Sequence, residues 1–274
     1  EGATATVEAI NMATAHTRRN RVLVLQTVNP EYRRVINSLN TPLGAEIANV
    51  PFEDGVVDPA KVHEMLNDQI AAVVMQYPNF LGCIEDIERI AEVAHEAGAL
   101  AIVVANPIAL GLLETPGKLG ADIVCGEGQP LGIPLSFGGP YVGFLAAKKT
   151  LLRRMPGRIV GKTTDIDGKI GYVLTLQARE QHIRREKASS NICSNQALMA
   201  LNATIYMSLM GREGIREVAG QCFQKAHYLK RELAKVDGVT FPFTGSFFHE
   251  LVIKIPNARK VLGKMAKQGV FAGI

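Results

Sequence analysis

The chain has little of what marks a disulfide scaffold, a metal centre or a membrane segment. Its four cysteines, Cys83, Cys125, Cys193 and Cys222, are scattered over 274 residues. No pair stands at zinc-ligand spacing, so no metal is expected, and the scatter fits reduced thiols in a cytoplasmic setting. No apolar run is long enough to cross a bilayer and no signal peptide is visible, which removes the membrane as a partner. Charge of one sign is also scarce: 30 Lys and Arg against 26 Asp and Glu leave a formal +4, mixed along the chain. Nucleic acid is therefore not an expected partner. No His-Asp-Ser or Cys-His arrangement can be assembled from the spacing, and Cys193 within "NICSN" reads as a buried thiol. An initiating methionine is missing too: the sequence runs from Glu1 to "GVFAGI", which reads as the middle of a strand. A piece of a longer subunit is the expectation.

What is present is an ordinary globular composition, 47% apolar and 20% charged, with a regular alternation of elements. "RVLVLQ" (21–26), "AEIANVPF" (45–52), "IAAVVMQYP" (70–78) and "ALAIVVAN" (99–106) read as strands. Between them lie helical stretches opened by Asn29-Pro30 and Asp58-Pro59, and "CIEDIERIAEVAHEAG", which closes on Gly98. Strands separated by helices require crossovers, hence an α/β fold with a mainly parallel sheet covered on both faces. Residues 188–235 read as long helix. Its first part, "SNQALMALNATIYMSLMG", is apolar nearly all round, which predicts burial. "SFFHELVIKI" (246–255) reads as a strand and "NARKVLGKMAKQG" as a helix. The expected division is a large domain over 1–205 and an incomplete small α+β domain over 206–274.

Ligands on parallel sheets bind at the carboxyl ends of the strands, so the strand-end residues are the candidates. "GATATVEAINMA" (2–13) starts a helix whose N–H groups and dipole can hold a phosphate through Gly2, Ala3 and Thr4; a plain capped helix is the simpler reading. "QYPNFLG" would aim Asn79 from a strand end into the cleft, and "AIVVANPIALG" places Asn106 at the next, although Pro and Gly also make an ordinary turn there. The loop "GEGQPLGIPLSFGGP" (126–140) lies between two apolar runs read as buried strands, "ADIVC" and "YVGFLAA".

This constellation resembles the fold type I pyridoxal-phosphate-dependent transferase family. In that family a Gly-Ala or Gly-Thr helix start holds the cofactor phosphate, a strand-end Asp pairs with the pyridine nitrogen, and a lysine after the next strand bonds the cofactor. Here Val103 and Val104 stand where the Asp would be, and Gln129 stands at the lysine's place. An amide nitrogen, its lone pair delocalised, forms no imine. Lys118, Lys148, Lys149, Lys162, Lys169 and Lys187 follow no strand in the required order and read as surface charges.

The run "REQHIRREKASSNICSNQALMALNATIYMSLMGREGIREVA" (179–219), with the helix start and the glycine-rich loop, resembles the glycine cleavage P-protein family in its subunit 1 form. The loop aligns without a gap with a His-Lys-Thr loop of that family, lysine on Gln129. The resemblance implies a non-catalytic subunit with no cofactor of its own, its Gly2, Ala3, Thr4, Asn79 and Asn106 being vestiges. Pyridoxal phosphate would sit in a partner subunit 2, in a hetero-oligomer of two of each, with glycine as substrate and the lipoyl H-protein as acceptor. Candidates for the shared cleft or interface are Glu127, Gln129, Arg179, His182, Arg184, Arg185, Glu186 and Asn191. The arginines offer paired donors to a carboxylate or an acidic carrier, or form a solvated basic run. Glu186 is a candidate ion-pair partner for one of them, and Ser189 and Asn191 are candidate caps of the long helix. Arg153, Arg154 and Arg158 read either as a steering patch or as solvated charge. An autonomous pyridoxal-phosphate enzyme and a phosphate-sensing module remain the alternatives.

Overall fold

The computed structural model describes residues 1–157, 159–175, 188, 190 and 196–273. Helix α1 (Gly2–Thr17) leads into strand β1 (Arg21–Leu25), and α2 (Pro30–Asn40) into β2 (Glu46–Val50). Helix α3 (Pro59–Met65) precedes β3 (Ile70–Tyr77), and α4 (Ile87–Glu96) precedes β4 (Leu100–Ala105). Strands β5 (Ile123–Glu127) and β6 (Gly143–Ala147) complete a six-stranded sheet of order β2-β1-β3-β4-β5-β6. All pairings are parallel except that of β5 with β6. The α/β class and the mainly parallel sheet agree with the sequence pattern.

The local signals explain the helix boundaries. Asn29 Oδ1 accepts the Glu31 N–H and Asp58 Oδ1 accepts the Ala60 N–H, each ahead of a proline in the first turn. The chain moves one way across the sheet from β1 to β2 and the other way from β2 through β3 to β4. Right-handed crossovers then place α2 on one face and α3 and α4 on the other. Helix α1 packs with α2 and against β5 and β6, while α4 packs on β3 and β4. Seven of the eight residues of β3 are buried, as a central parallel strand covered on both faces requires.

Three expectations need correction. The run "YVGFLAA" is not a second buried strand: β6 is the antiparallel edge of the sheet and only half buried. The stretch 246–255 is not a strand; it makes two isolated bridges, Phe247 with Cys83 and Lys254 with Thr240. Its alternating apolar pattern finds no ladder partner among the described residues. The long helix, α5 (Ala197–Leu233), exists, but its opening part is not buried. Leu198 is 72% and Leu209 82% exposed, with Leu201, Ile205 and Met207 also open. Beyond Gly211, whose φ of 59° breaks the helix, Ala219 packs on Ile108, Ala109 and Phe248. The expected domain boundary at 205 falls within this helix.

Two further pieces complete the described chain. Among the described residues, strands β7 (Ile159–Thr164) and β8 (Ile170–Thr175) pair only with each other, as an antiparallel hairpin. Helix α6 (Ala258–Ala266) follows Asn257, which takes a left-handed conformation. The segment 244–248 ties back onto the large sheet unit: Ile84 N–H donates to Ser246 O, Phe248 N–H donates to Gly82 O, and Thr244 donates to Asp54.

Candidate functional site

Helix α1 begins where β5 ends, and its first turn carries the Gly-Ala-Thr sequence. All three N–H groups there are engaged by carboxylates. Glu1 forms a capping box, accepting Ala3 N–H and Thr4 N–H at 2.8 Å each, while Thr4 Oγ1 donates to the Glu1 carbonyl. The third group, Gly2 N–H, donates to Glu127 Oε2 at 2.9 Å, across 125 residues of sequence. Tyr32 closes the space beside it. A Cβ added to Gly2 would run into the Tyr32 hydroxyl and the Glu127 backbone nitrogen, so only glycine allows this approach. Burial and the charge of Glu127 push the Tyr32 phenol well above its ordinary range.

Glu127 also organises the loop that follows. Its Oε1 accepts from Gln129 N–H at 2.9 Å and from Val142 N–H at 3.3 Å, so one carboxylate holds both ends of the loop. Gln129 turns its side chain inward, with Nε2 donating to the Ile133 carbonyl at 2.6 Å. The loop then meets α5, where Tyr206 packs over Gly132 and Asn202 donates to its carbonyl. At the tip, the Leu135 carbonyl accepts from Gly138 N–H, Gly139 N–H and the Tyr141 hydroxyl. Leu135 and Phe137 project into solvent, and Ser136 and Phe137 both have positive φ, 44° and 56°. A bulky residue in that conformation is an outlier.

These residues do not fit pyridoxal phosphate, the group that the fold's resemblance implies. The helix donors a phosphate would use are held by carboxylates. Gln129 supplies no amine, and Val103 and Val104 are buried hydrophobes with nothing to offer a ring nitrogen. Cys125, on the strand between them and the loop, is fully buried beside Thr6, and burial pushes its thiol up to about 12. It is inert at neutral pH.

The crevice at the reversal of strand order, between β1 and β3, is the usual ligand position in such sheets. Here it is laced shut. Glu85 Oε1 accepts from the Thr27 hydroxyl at 2.6 Å and from Asn79 Nδ2 at 2.8 Å, and its Oε2 accepts Val57 N–H at 2.9 Å. Asn79 also donates to the Gly55 carbonyl and accepts Leu81 and Cys83 N–H groups. Asn79 is 0% exposed, which corrects the expectation that it points into a cleft: its amide is spent on organising its own turn. Asn106, half buried at the end of β4, likewise accepts Ile108 N–H in a local turn. Burial pushes the Glu85 carboxyl up, against the opposing pull of its three hydrogen-bond donors.

Arg158, Arg179, His182, Arg184, Arg185, Glu186, Lys187, Ser189, Asn191 and Cys193 lie outside the described residues. Arg153 and Arg154 are exposed at the end of a short 3-10 turn, away from the loop's hydrogen bonds. Sequence reasoning missed Tyr32, Glu85 and Glu8. Glu8, buried one turn along α1 from Thr4, lines a cavity of about 270 Å³ with Thr4, Phe144, Leu145 and Ala197. Burial raises its carboxyl, with hydrogen bonds to Ser190 and Asn11 opposing the rise. Glu1 was missed as well; its signal was the three-residue spacing to Thr4, in the reverse order of the usual Ser/Thr-first capping box.

The chain matches the family model described as glycine cleavage system P-protein over residues 1–272. It is 53% identical to the probable glycine dehydrogenase (decarboxylating) subunit 1 of Desulforamulus reducens, covering 100% of this chain and 62% of that relative. Its counterpart in Moorella thermoacetica is also 53% identical, with the same coverage. The chain therefore spans about three fifths of the length of these relatives. Among solved structures, a crystal structure of glycine decarboxylase (P-protein) of the glycine cleavage system superposes with a TM-score of 0.94 at 44% identity, covering 99% of this chain and 61% of that one. A sphingosine-1-phosphate lyase from Burkholderia pseudomallei, 16% identical with a TM-score of 0.68 over 98% of this chain and 60% of its own, shares the fold alone. With the family model matched over residues 1–272 and relatives 53% identical over the whole of this chain, the chain belongs to the glycine cleavage system P-protein family.

Proposed function

We propose that this chain is the non-catalytic subunit of a two-subunit P-protein, acting beside a cofactor-bearing subunit 2 in glycine decarboxylation and in transfer of the aminomethyl group to the lipoyl H-protein. The observation that carries this reading is the state of Gln129: at the lysine's place stands an amide whose nitrogen donates to the Ile133 carbonyl. Pyridoxal phosphate belongs to the partner in this proposal, in a cytoplasmic hetero-oligomer of two copies of each subunit. An autonomous enzyme would need an amine here, and a phosphate sensor would need donors that Glu1 and Glu127 already occupy.

The chain's own contribution is a surface. Leu135 and Phe137 on the loop, Leu198 and Leu201 on α5, and Val160 and Tyr172 on the β7–β8 hairpin are all exposed. A two-stranded hairpin is at best marginally stable by itself, and apolar area of this kind marks association sites. The partner subunit covers it in this reading, with the loop and residues 179–194 beside the partner's cleft. There Arg179, Arg184 and Arg185 would receive carboxylate from glycine or the acidic face of the carrier protein, His182 and Asn191 would lie in the same cleft, and Glu186 would hold one arginine in place.

Co-expression of the full-length chain with a cofactor-bearing subunit 2, followed by a glycine–bicarbonate exchange assay, tests the proposal. Exchange by the pair and by neither subunit alone is expected. Exchange by this subunit alone would overturn it.

A further inference from the structure

The first turn of α1 presents consecutive N–H groups and the positive end of a helix dipole, the arrangement that binds phosphate on many folds. Here that turn is filled from within. Two carboxylates, Glu1 and Glu127, supply two negative charges to the Gly2, Ala3 and Thr4 N–H groups, about the charge of a phosphate monoester at neutral pH. Glu1 is a local cap. Glu127 is different, because it reaches the helix from the end of β5 and spends its other oxygen on Gln129 N–H and Val142 N–H. The same group therefore joins α1, β5 and both ends of the loop 128–142.

We propose that Glu127 is a built-in anion that replaces a bound phosphate at the α1 N-terminus, and so is the positioning residue that fixes the loop 128–142 without any ligand. This goes beyond the assignment of a partner subunit and does not depend on it.

Geometry on the opposite side supports the replacement. The Tyr32 hydroxyl lies so close to Gly2 that not even a methyl group fits between them, and a free anion has no approach while Glu127 is in place. A neutral phenol beside the carboxylate is maintained by the upward shift of the Tyr32 hydroxyl. The loop held in this way carries Leu135 and Phe137 outward, and the three bonds to the Leu135 carbonyl keep its tip folded back on itself.

The test uses the full-length subunit, its Glu127→Ala and Glu127→Ser variants, and inorganic phosphate as the probe, in phosphate or chloride buffers of matched ionic strength. Equilibrium dialysis with radiolabelled phosphate is expected to show no binding to the wild type and one equivalent bound to each variant. The thermal midpoint of the variants is expected to fall in chloride and to rise by a few degrees in phosphate, whereas that of the wild type stays put. Limited proteolysis within 131–141 reads the loop directly: the variants are cut faster than wild type in chloride and return towards the wild-type rate in phosphate, a rescue that a purely structural loss would not show. A variant that fails to fold in chloride is expected to fold in phosphate. Equal phosphate dependence of wild type and variants, whether both flat or both rising, would overturn the proposal, as would variants that remain unfolded in either buffer.

Discussion

Among the described residues, the strands of the large sheet and the groups at their ends are satisfied from within; the tip of the loop 128–142, the β7–β8 hairpin and the opening of α5 are not. In the first region the strands are buried, and a carboxylate with several donors closes each place where such a sheet normally takes a ligand: Glu85 at the reversal of strand order and Glu127 at the helix start. In the second, the loop tip at Leu135 and Phe137, the β7–β8 hairpin and the opening of α5 leave apolar side chains in solvent. The difference teaches that closed strand ends and exposed apolar surface can occupy separate parts of one fold. Positions where parallel sheets commonly take ligands are internal hydrogen-bond networks here, and the exposed apolar surface lies on other elements.

The comparison is broken most severely by Glu85→Ala. It strands the Thr27 hydroxyl, the Asn79 amide and Val57 N–H in a buried site, and a loss of roughly 3–5 kcal/mol in urea denaturation is expected. A smaller effect is expected at Asp122, where Lys148 Nζ and His95 Nε2 each stand 2.7 Å away and Ala101 N–H donates at 2.8 Å. Burial alone would raise this carboxyl, but the bonds from Lys148, Ala101 and His95 outweigh it and hold it below its ordinary value. Its stabilisation is therefore present above the unfolded value near pH ~4 and is lost as pH falls through the folded one. Asp122→Asn is expected to cost about 2 kcal/mol at pH ~7 and to flatten the acid limb of the stability profile measured by denaturant titration.

Substitutions in the second region sharpen the contrast. Phe137→Ala and Leu201→Ala are expected to leave the subunit's own stability within about 0.5 kcal/mol. Each is expected to weaken association with subunit 2 by about 1–2 kcal/mol, read by titration calorimetry. A large loss of stability with unchanged association would reverse the roles of the two regions. The smallest effect belongs to Thr4→Val, which removes the hydroxyl's two local bonds, one donated to the Glu1 carbonyl and one accepted from the Glu1 nitrogen. A destabilisation below about 1 kcal/mol is expected, with no change in phosphate binding by dialysis.

Much of the fold was legible because it rests on local rules. The capped prolines at 30 and 59, the glycine closing α4 and the β-branched runs each name an element without knowledge of the rest. The exposed α5 opening was not legible, since an apolar helix looks the same whether its cover lies in the same chain or elsewhere. The stretch 246–255 failed for a related reason: alternation implies a strand only when a neighbour offers a ladder. At the site, Gln129 was readable from amine chemistry. Asn79 was misread because its turn is organised by Glu85, six positions on, and nothing in the spacing shows that this carboxylate points inward. Tyr32 and the long-range bond from Gly2 to Glu127 arise from tertiary packing alone.

The most direct test of a pocket closed by its own side chains is to incubate the isolated full-length subunit with pyridoxal phosphate, reduce with borohydride and map the peptides by mass spectrometry. No specific adduct on any lysine of the subunit is expected. A stoichiometric covalent adduct on one side chain of this subunit would contradict it.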